Sequence, residues 1–183
     1  MKILEKKWTN LMKKLNLNLF SLLIIFFLYL TNLANSEEKF ITAFSQKIFV
    51  TDGDTIKIGK ENIRLFGIDA PEIKQICRNK NNKPYACGEI SKHYLALLLI
   101  KQNQNIYCYY SERDRYNRII GECFLGAISA FNINANMVFT GQAVAYLKYS
   151  KKYLIDQNHA KDSKWGLWAG TFEMPEEWRK KNK

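Results

Sequence analysis

Between Thr51 and Glu72 the chain reads TDGDTIKIGKENIRLFGIDAPE, three β-rich runs broken by Gly, Asp and Asn. IFV precedes DGDT, IKI follows it, and IRLFGI comes after a polar GKEN turn, a pattern that predicts an antiparallel meander. In a meander the end of one strand lies beside the start of the next. Asp54, opening the second strand, therefore converges with Asp69, closing the third. Strict alternation puts Arg64 and Asp69 on opposite faces, so a shared cleft requires a bend, and Gly67 is where it costs least. Close carboxylates repel unless positive charge lies between them, and oxygen-only ligation suits hard cations such as Ca²⁺. The bland alternative is that Asp-Gly is hairpin chemistry and Asp-Ala-Pro-Glu the start of a helix.

Downstream, CGEISKHYLALLLIK spaces Ile90, Tyr94, Leu97 and Leu98 as one helix face. IYCYY and RIIGECFL read as two more strands joined by the charged connection SERDRYN. Five strands interrupted after the third by a helix suit a mainly β, α+β fold: a five-stranded OB-type Greek-key barrel with about three helices. A short helix capped by Asn132 or Asn134 carries Ile133, Met137 and Val138, and another runs through Tyr153, Leu154 and Ala160 to Gly166. Trp165, Trp168 and Trp178 are expected to pack on the barrel. The last five residues are expected to fray.

The ends of the chain suggest domain limits. Lys2, Lys6, Lys7, Lys13 and Lys14 lead into the apolar run Leu19 to Leu30 and the polar TNLANS, the layout of a signal peptide over 1–36 or, if uncleaved, of a signal anchor. Residues 37–176 would then form one domain, opening on a weak linker over 37–46, and 177–183 a basic tail. The full chain carries a formal charge of +11; without residues 1–36, 23 basic residues face 16 acidic ones. Such a balance fits a polyanionic partner (nucleic acid, anionic lipid or acidic polysaccharide) or simply a solvated Lys face. Cys77, Cys87, Cys108 and Cys123 are an even set in a chain read as secreted or periplasmic, or anchored with the domain outside the cytoplasm. That favours disulfides, and pairing neighbours gives 77–87 and 108–123 among three possible connectivities. No CxxC or His cluster supports zinc instead.

Cutting a phosphodiester takes a metal to polarise phosphoryl oxygen, a carboxylate to orient or deprotonate water, and cations to grip developing charge. Asp54 and Asp69 could bind the metal, Glu72 could reach the water, and Arg64 with Arg118 could hold phosphate through planar forks. DGDT, IRLFGIDAPE, a helix beginning CGE and DRYNR, in that order, resemble the staphylococcal nuclease family from about Val50 to Trp168. The resemblance implies an OB-type barrel and a Ca²⁺-dependent phosphodiesterase, an endonuclease acting on DNA and RNA with little sequence selectivity. It implies metal ligation by Asp54, Asp69 and the backbone carbonyl of Ala70, a general base or water-orienter at Glu72, and phosphate contacts from Arg64 and Arg118. Tyr116 matches a tyrosine lining the nucleotide site and Arg115 a basic residue near substrate phosphate. A further base-contacting tyrosine of the family aligns with Leu147 rather than Tyr146 or Tyr149. Asn117 stands where the family has glycine and can adopt the same positive φ. The rival reading is a catalytically inactive OB-type module binding nucleic acid or protein. The expected oligomeric state is a monomer, with a membrane tether possible through residues 1–36.

Overall fold

The computed structural model describes residues 39–102, 104–126 and 131–182, together with residues 13, 18, 21–24 and 26 of an N-terminal unit, Met1–Glu37. The described residues of that unit are helical, and the hydroxyl of Ser21 donates to the carbonyl of Asn18 at 2.9 Å. Most of the segment read as a signal peptide or anchor lies outside the described residues. Among those described, no helix is long and apolar enough to cross a membrane.

The second unit is built on a mixed sheet. Its strands are β1 (Lys39–Phe44), β2 (Ile48–Asp52), β3 (Thr55–Ile58), β4 (Glu61–Leu65), β8 (Asn105–Arg113) and β9 (Ile119–Leu125), in the spatial order β1-β8-β9-β4-β3-β2, with β10 (Phe131–Asn132) attached to β9. Two short pairs complete the β-structure, β5 (Ile68–Asp69) with β11 (Val144–Ala145) and β6 (Ile76–Arg78) with β7 (Pro84–Ala86). The five strands expected from sequence are β2, β3, β4, β8 and β9. The segment expected to be a linker is instead largely strand: β1 pairs with β8 over Lys39–Phe44, and one turn of 3-10 helix, Ser45–Lys47, joins it to β2. The sheet's two edge strands are thus successive in the chain, which forces the sheet to curl into a half-barrel of OB type. All pairings are antiparallel except β4 with β9, which run parallel and join the two halves of the topology.

Among its described residues this unit has four α-helices, α1 (Cys87–Gln102), α2 (Ile133–Phe139), α3 (Leu154–Asp162) and α4 (Pro175–Lys181), of which α1 packs on β2 and α2 on β9. The Asn132 side chain caps α2 by accepting from the N–H of Ala135 at 2.9 Å, satisfying a donor that has no intrahelical partner. Ile56, Ile63 and Leu65 from the meander meet Leu95 and Leu99 of α1, Ile106, Ile119 and Leu125 of β8 and β9, and Ile133 and Met137 of α2 in one buried core. Inside it Cys108 is bonded to Cys123, whose Cα atoms face each other across the ladder at 4.0 Å. The second disulfide, Cys77–Cys87, sits in a satellite cluster with Val144 and Leu167, against which Trp168 and Phe172 pack. Both bridges follow the neighbour pairing.

The fourth helix departs from expectation. Residues 179–181 do not fray, and the limit drawn at 176 falls inside α4. Pro175 stands at its start, Glu176 and Glu177 fill its first turn and Arg179, Lys180 and Lys181 its last, the charge order that a helix dipole favours. Antiparallel pairing of Arg78 with Thr171, through N–H···O bonds of 2.9 Å in both directions, holds the segment leading into it.

Candidate active site

The DGDT turn forms the tip of the β2–β3 hairpin, with Asp52 opposite Thr55, so Asp54 sits in the turn just ahead of β3. It is buried nonetheless, because the turn is pressed against α1: a Cβ on Gly53 would lie 2.0 Å from Ser91 Oγ. One Asp54 oxygen, Oδ1, accepts from Thr55 Oγ1 at 3.1 Å and from Arg64 Nη1; the other accepts from the Ala70 N–H at 2.8 Å.

The bend required for Arg64 to meet Asp69 is present. β4 stops at Leu65, Gly67 adopts φ +71°, and Asp69 reappears on the separate strand β5. β11 secures that turn, with the Tyr146 N–H donating to the Gly67 carbonyl at 2.9 Å. Arg64 then bridges the carboxylates, its Nη1 to Asp54 and its Nη2 to Asp69 Oδ1 at 2.7 Å.

Glu72 joins the same cluster, with its backbone set by close packing. Gly88, the second residue of α1, lies so near the Glu72 carbonyl that a Cβ there would approach its oxygen to 1.8 Å. The buried side chain of Gln75 accepts from the Glu72 N–H at 3.2 Å.

A second guanidinium in this cluster belongs to Arg179 of α4, which the sequence reading left in the tail. Its Nη1 donates to Asp69 Oδ1 at 2.9 Å and to Glu72 Oε1 at 2.8 Å, and its Nη2 to Asp69 Oδ2 at 2.9 Å. The signal available in sequence was the Pro-Glu-Glu start followed by Arg-Lys-Lys, a helix signature compressed into two turns.

Arg118 does not join the acidic cluster through any hydrogen bond or ion pair recorded among the described residues. It lies just before β9, two residues ahead of Ile120, the strand partner of Arg64, so alternation puts it on the same sheet face as Arg64. Its Nε donates to Asp114 Oδ2 at 2.8 Å, inside a turn in which Asp114 Oδ1 also accepts from the N–H groups of Tyr116 and Arg118. Asn117 holds φ +62° in that turn, as the expected glycine would. Tyr116 is exposed, with the Arg115 and Arg118 guanidiniums 4.8 and 5.6 Å from its ring centroid. Arg115 Nη2 also donates to the Tyr116 hydroxyl at 2.8 Å. Arg115, Tyr116 and Arg118 thus form a group around Asp114, with no hydrogen bond to Asp54, Asp69 or Glu72 among the described residues. Leu147 is exposed between Tyr146 and Tyr149, whose rings meet edge-on at 4.8 Å. Burial and the charges of Asp69 and Glu176 raise the Tyr146 phenol pKa.

The electrostatics are those of buried carboxylates beside two guanidiniums. Burial pushes the Asp54 carboxyl up to about 6 against the pull of Arg64. Burial also raises Asp69, partly offset by its hydrogen bond from Arg179. Both guanidiniums are held above their ordinary pKa, because the carboxylates outweigh the cost of burying them. Among the described residues no group of three His, Cys, Asp or Glu side chains is arranged to hold a metal ion. Every Asp54 and Asp69 carboxylate oxygen already accepts a hydrogen bond, from Arg64, Arg179, Thr55 or the Ala70 N–H; as hard oxygen donors they suit a cation that completes its shell with water, which would have to displace a guanidinium to reach them. The Ala70 N–H donates to Asp54, whereas the carbonyl expected to ligate belongs to the next peptide, Ala70–Pro71.

Comparison with known proteins identifies the family. Residues 62–170 match the family described as staphylococcal nuclease homologue. The chain belongs to the staphylococcal nuclease family. An uncharacterized endonuclease of Escherichia coli is 33% identical over 132 residues, 69% of this chain and 77% of that protein. The succinoglycan biosynthesis protein ExoI of Rhizobium meliloti (strain 1021) is 34% identical over 120 residues, 65% of this chain, which spans only 61% of that relative's length. A probable staphylococcal-like nuclease of rice, CAN3, is 31% identical over 137 residues, 73% of this chain and 32% of its own length. Within the family-matched span lie Arg64, Asp69, Ala70, Glu72, Arg115, Tyr116 and Arg118; Asp54 precedes it and Arg179 follows it.

Proposed function

We propose that this chain is an exported, Ca²⁺-dependent nuclease that hydrolyses phosphodiester bonds of DNA and RNA with little sequence selectivity. The observation that carries the reading is the convergence of Asp54, Asp69, Glu72 and Arg64, from a hairpin turn, a bent strand and a helix approach, into one cluster in a chain of this family. Relatives named as endonucleases support the same chemistry.

Asp54, Asp69 and the Ala70 peptide would hold the cation, which when bound polarises the phosphoryl oxygen and neutralises charge. Glu72 would orient the attacking water and take its proton; its side chain is 34% exposed, with Oε1 bonded to Arg179. Arg64 and Arg118 on one sheet face would grip non-bridging oxygens as their charge grows; for Arg64 this means giving up a bond to Asp54 or Asp69, and for Arg118 exchanging Asp114 for phosphate. Tyr116 with Arg115, and Tyr146 with Tyr149, offer aromatic faces to bases without reading base edges, which fits low selectivity. Export is supported by the basic-apolar-polar layout of residues 1–36 and by two disulfides, which persist in oxidising compartments. The working form is a monomer, free or tethered through the N-terminal segment.

The test is degradation of single-stranded and duplex DNA and of RNA by residues 37–183, with Ca²⁺ and with EGTA, beside Glu72→Gln. The expected result is Ca²⁺-dependent cleavage crippled in the variant. Folded protein that binds DNA yet leaves it intact in every lane would overturn the nuclease reading in favour of an inactive binding module.

A further inference from the structure

The C-terminal helix is moored at several points before it delivers Arg179. Gln75, fully buried, accepts from the Glu72 N–H and donates from Nε2 to the Glu173 carbonyl at 2.7 Å, so one side chain links the Glu72 backbone to the lead-in of α4. Pro175 is buried, Lys148 reaches Glu176 at 3.4 Å, and Thr171 pairs with Arg78. Against this fixed backbone Arg179 spends its two terminal nitrogens on the two carboxylates. It holds Asp69 through both of that residue's oxygens, and the nitrogen that binds Oδ1 also binds Glu72. Among the described residues Arg179 is the only side chain bonded to the Glu72 carboxylate. Glu72 is a partly exposed, three-torsion side chain, and this bond restricts its rotamers.

We propose that Arg179 is a positioning residue: one rigid guanidinium, carried in from beyond the family-matched span, fixes the Glu72 carboxylate relative to Asp69. A planar fork suits this task because its donors have fixed angles, which a lysine ammonium lacks. The role rests on the nuclease reading, since it is through Glu72 that Arg179 would affect turnover. A plain anchoring role for α4 would instead make Arg179 matter to folding alone.

A double-mutant cycle separates the two. Arg179→Ala and Arg179→Lys are made in the wild-type chain and in Glu72→Gln, with Lys180→Ala as a control on an exposed neighbour in the same helix. Steady-state DNA cleavage and the thermal midpoint are measured for each. Arg179→Ala should lower kcat by about 10- to 100-fold, the usual cost of losing a residue that orients a ligand or base, with KM little changed. Arg179→Lys should recover part of that loss, and Lys180→Ala should match wild type. In the Glu72→Gln background the same Arg179→Ala change should cost less than about two-fold, because residues that act as a unit are not additive. The thermal midpoints should also be less than additive, reporting the contact without any turnover. Equal losses of kcat in both backgrounds, or a loss that only follows the unfolded fraction, would overturn the proposal. A folded wild-type chain that cuts nothing would sink the nuclease reading and the turnover role together, whereas an active wild type with independent Arg179 and Glu72 sinks only the positioning role.

Discussion

Replacing Arg64 with Met removes the charge that lies between two buried carboxylates while keeping most of the side chain's length. Asp54 and Asp69 side chains are each 2% exposed, and Arg64 is 15% exposed. Asp69 would retain Arg179, but Asp54 would be left with only the Thr55 hydroxyl and the Ala70 N–H. Breaking a buried pair by deleting one partner costs about 3–5 kcal/mol, and the lower half of that range applies here because those two donors remain. The cost should depend on pH. In the wild type the folded pKa of Asp54, about 6, lies above its ordinary 3.8, so the folded state holds this proton more tightly than the unfolded one. The stability that Asp54 contributes is greatest below 3.8 and is lost as pH rises through about 6; that displacement corresponds to about 3 kcal/mol. Without Arg64 the pKa climbs further, the window extends upward, and the gap between wild type and variant widens from pH 5 to pH 8. Urea unfolding in EGTA at both pH values, followed by tryptophan fluorescence, measures it. Adding Asp54→Asn should return most of the loss at pH 8. A gap that is the same at pH 5 and pH 8, or smaller than about 1 kcal/mol throughout, would refute the account of Arg64 as the counter-charge of this pair.

Three other outcomes follow from the geometry. Arg118→Ala should lower kcat/KM by at least about 100-fold, the worth of one transition-state donor, while moving the urea midpoint little, since its Asp114 bridge is partly exposed; near-normal cleavage would remove Arg118 from the mechanism. Replacing Cys108 and Cys123 by Ala should destabilise the fold by about 3 kcal/mol, as expected for a cross-link closing a loop with a sequence separation of 15, measured by urea unfolding against the oxidised wild type. Gly88→Ala should cost about 2 kcal/mol or more and depress cleavage beyond that loss, because relieving the clash with the Glu72 carbonyl moves Glu72 itself; an unchanged thermal midpoint would contradict the packing described.

The carboxylates, their arginine and the bend at Gly67 were legible because all lie in one short stretch, where hairpin turns and strand alternation fix which side chains meet. The five central strands, α1, α2 and α3 and both disulfides were legible for the same reason: period, cap and neighbour pairing are local properties. What only the tertiary structure decided depends on contacts distant in sequence. β1 looked like a linker since its partner β8 begins at Asn105, and an edge strand half exposed to water carries no strong pattern. Arg118 was expected to work beside Arg64, yet Asp114, four residues away, holds it. Arg179 was the least visible, being 107 residues from Glu72. Two turns of helix at a chain end have little stability alone, and it is docking through Gln75, Pro175 and Arg78 that makes α4 a helix and turns a tail arginine into part of the acidic site.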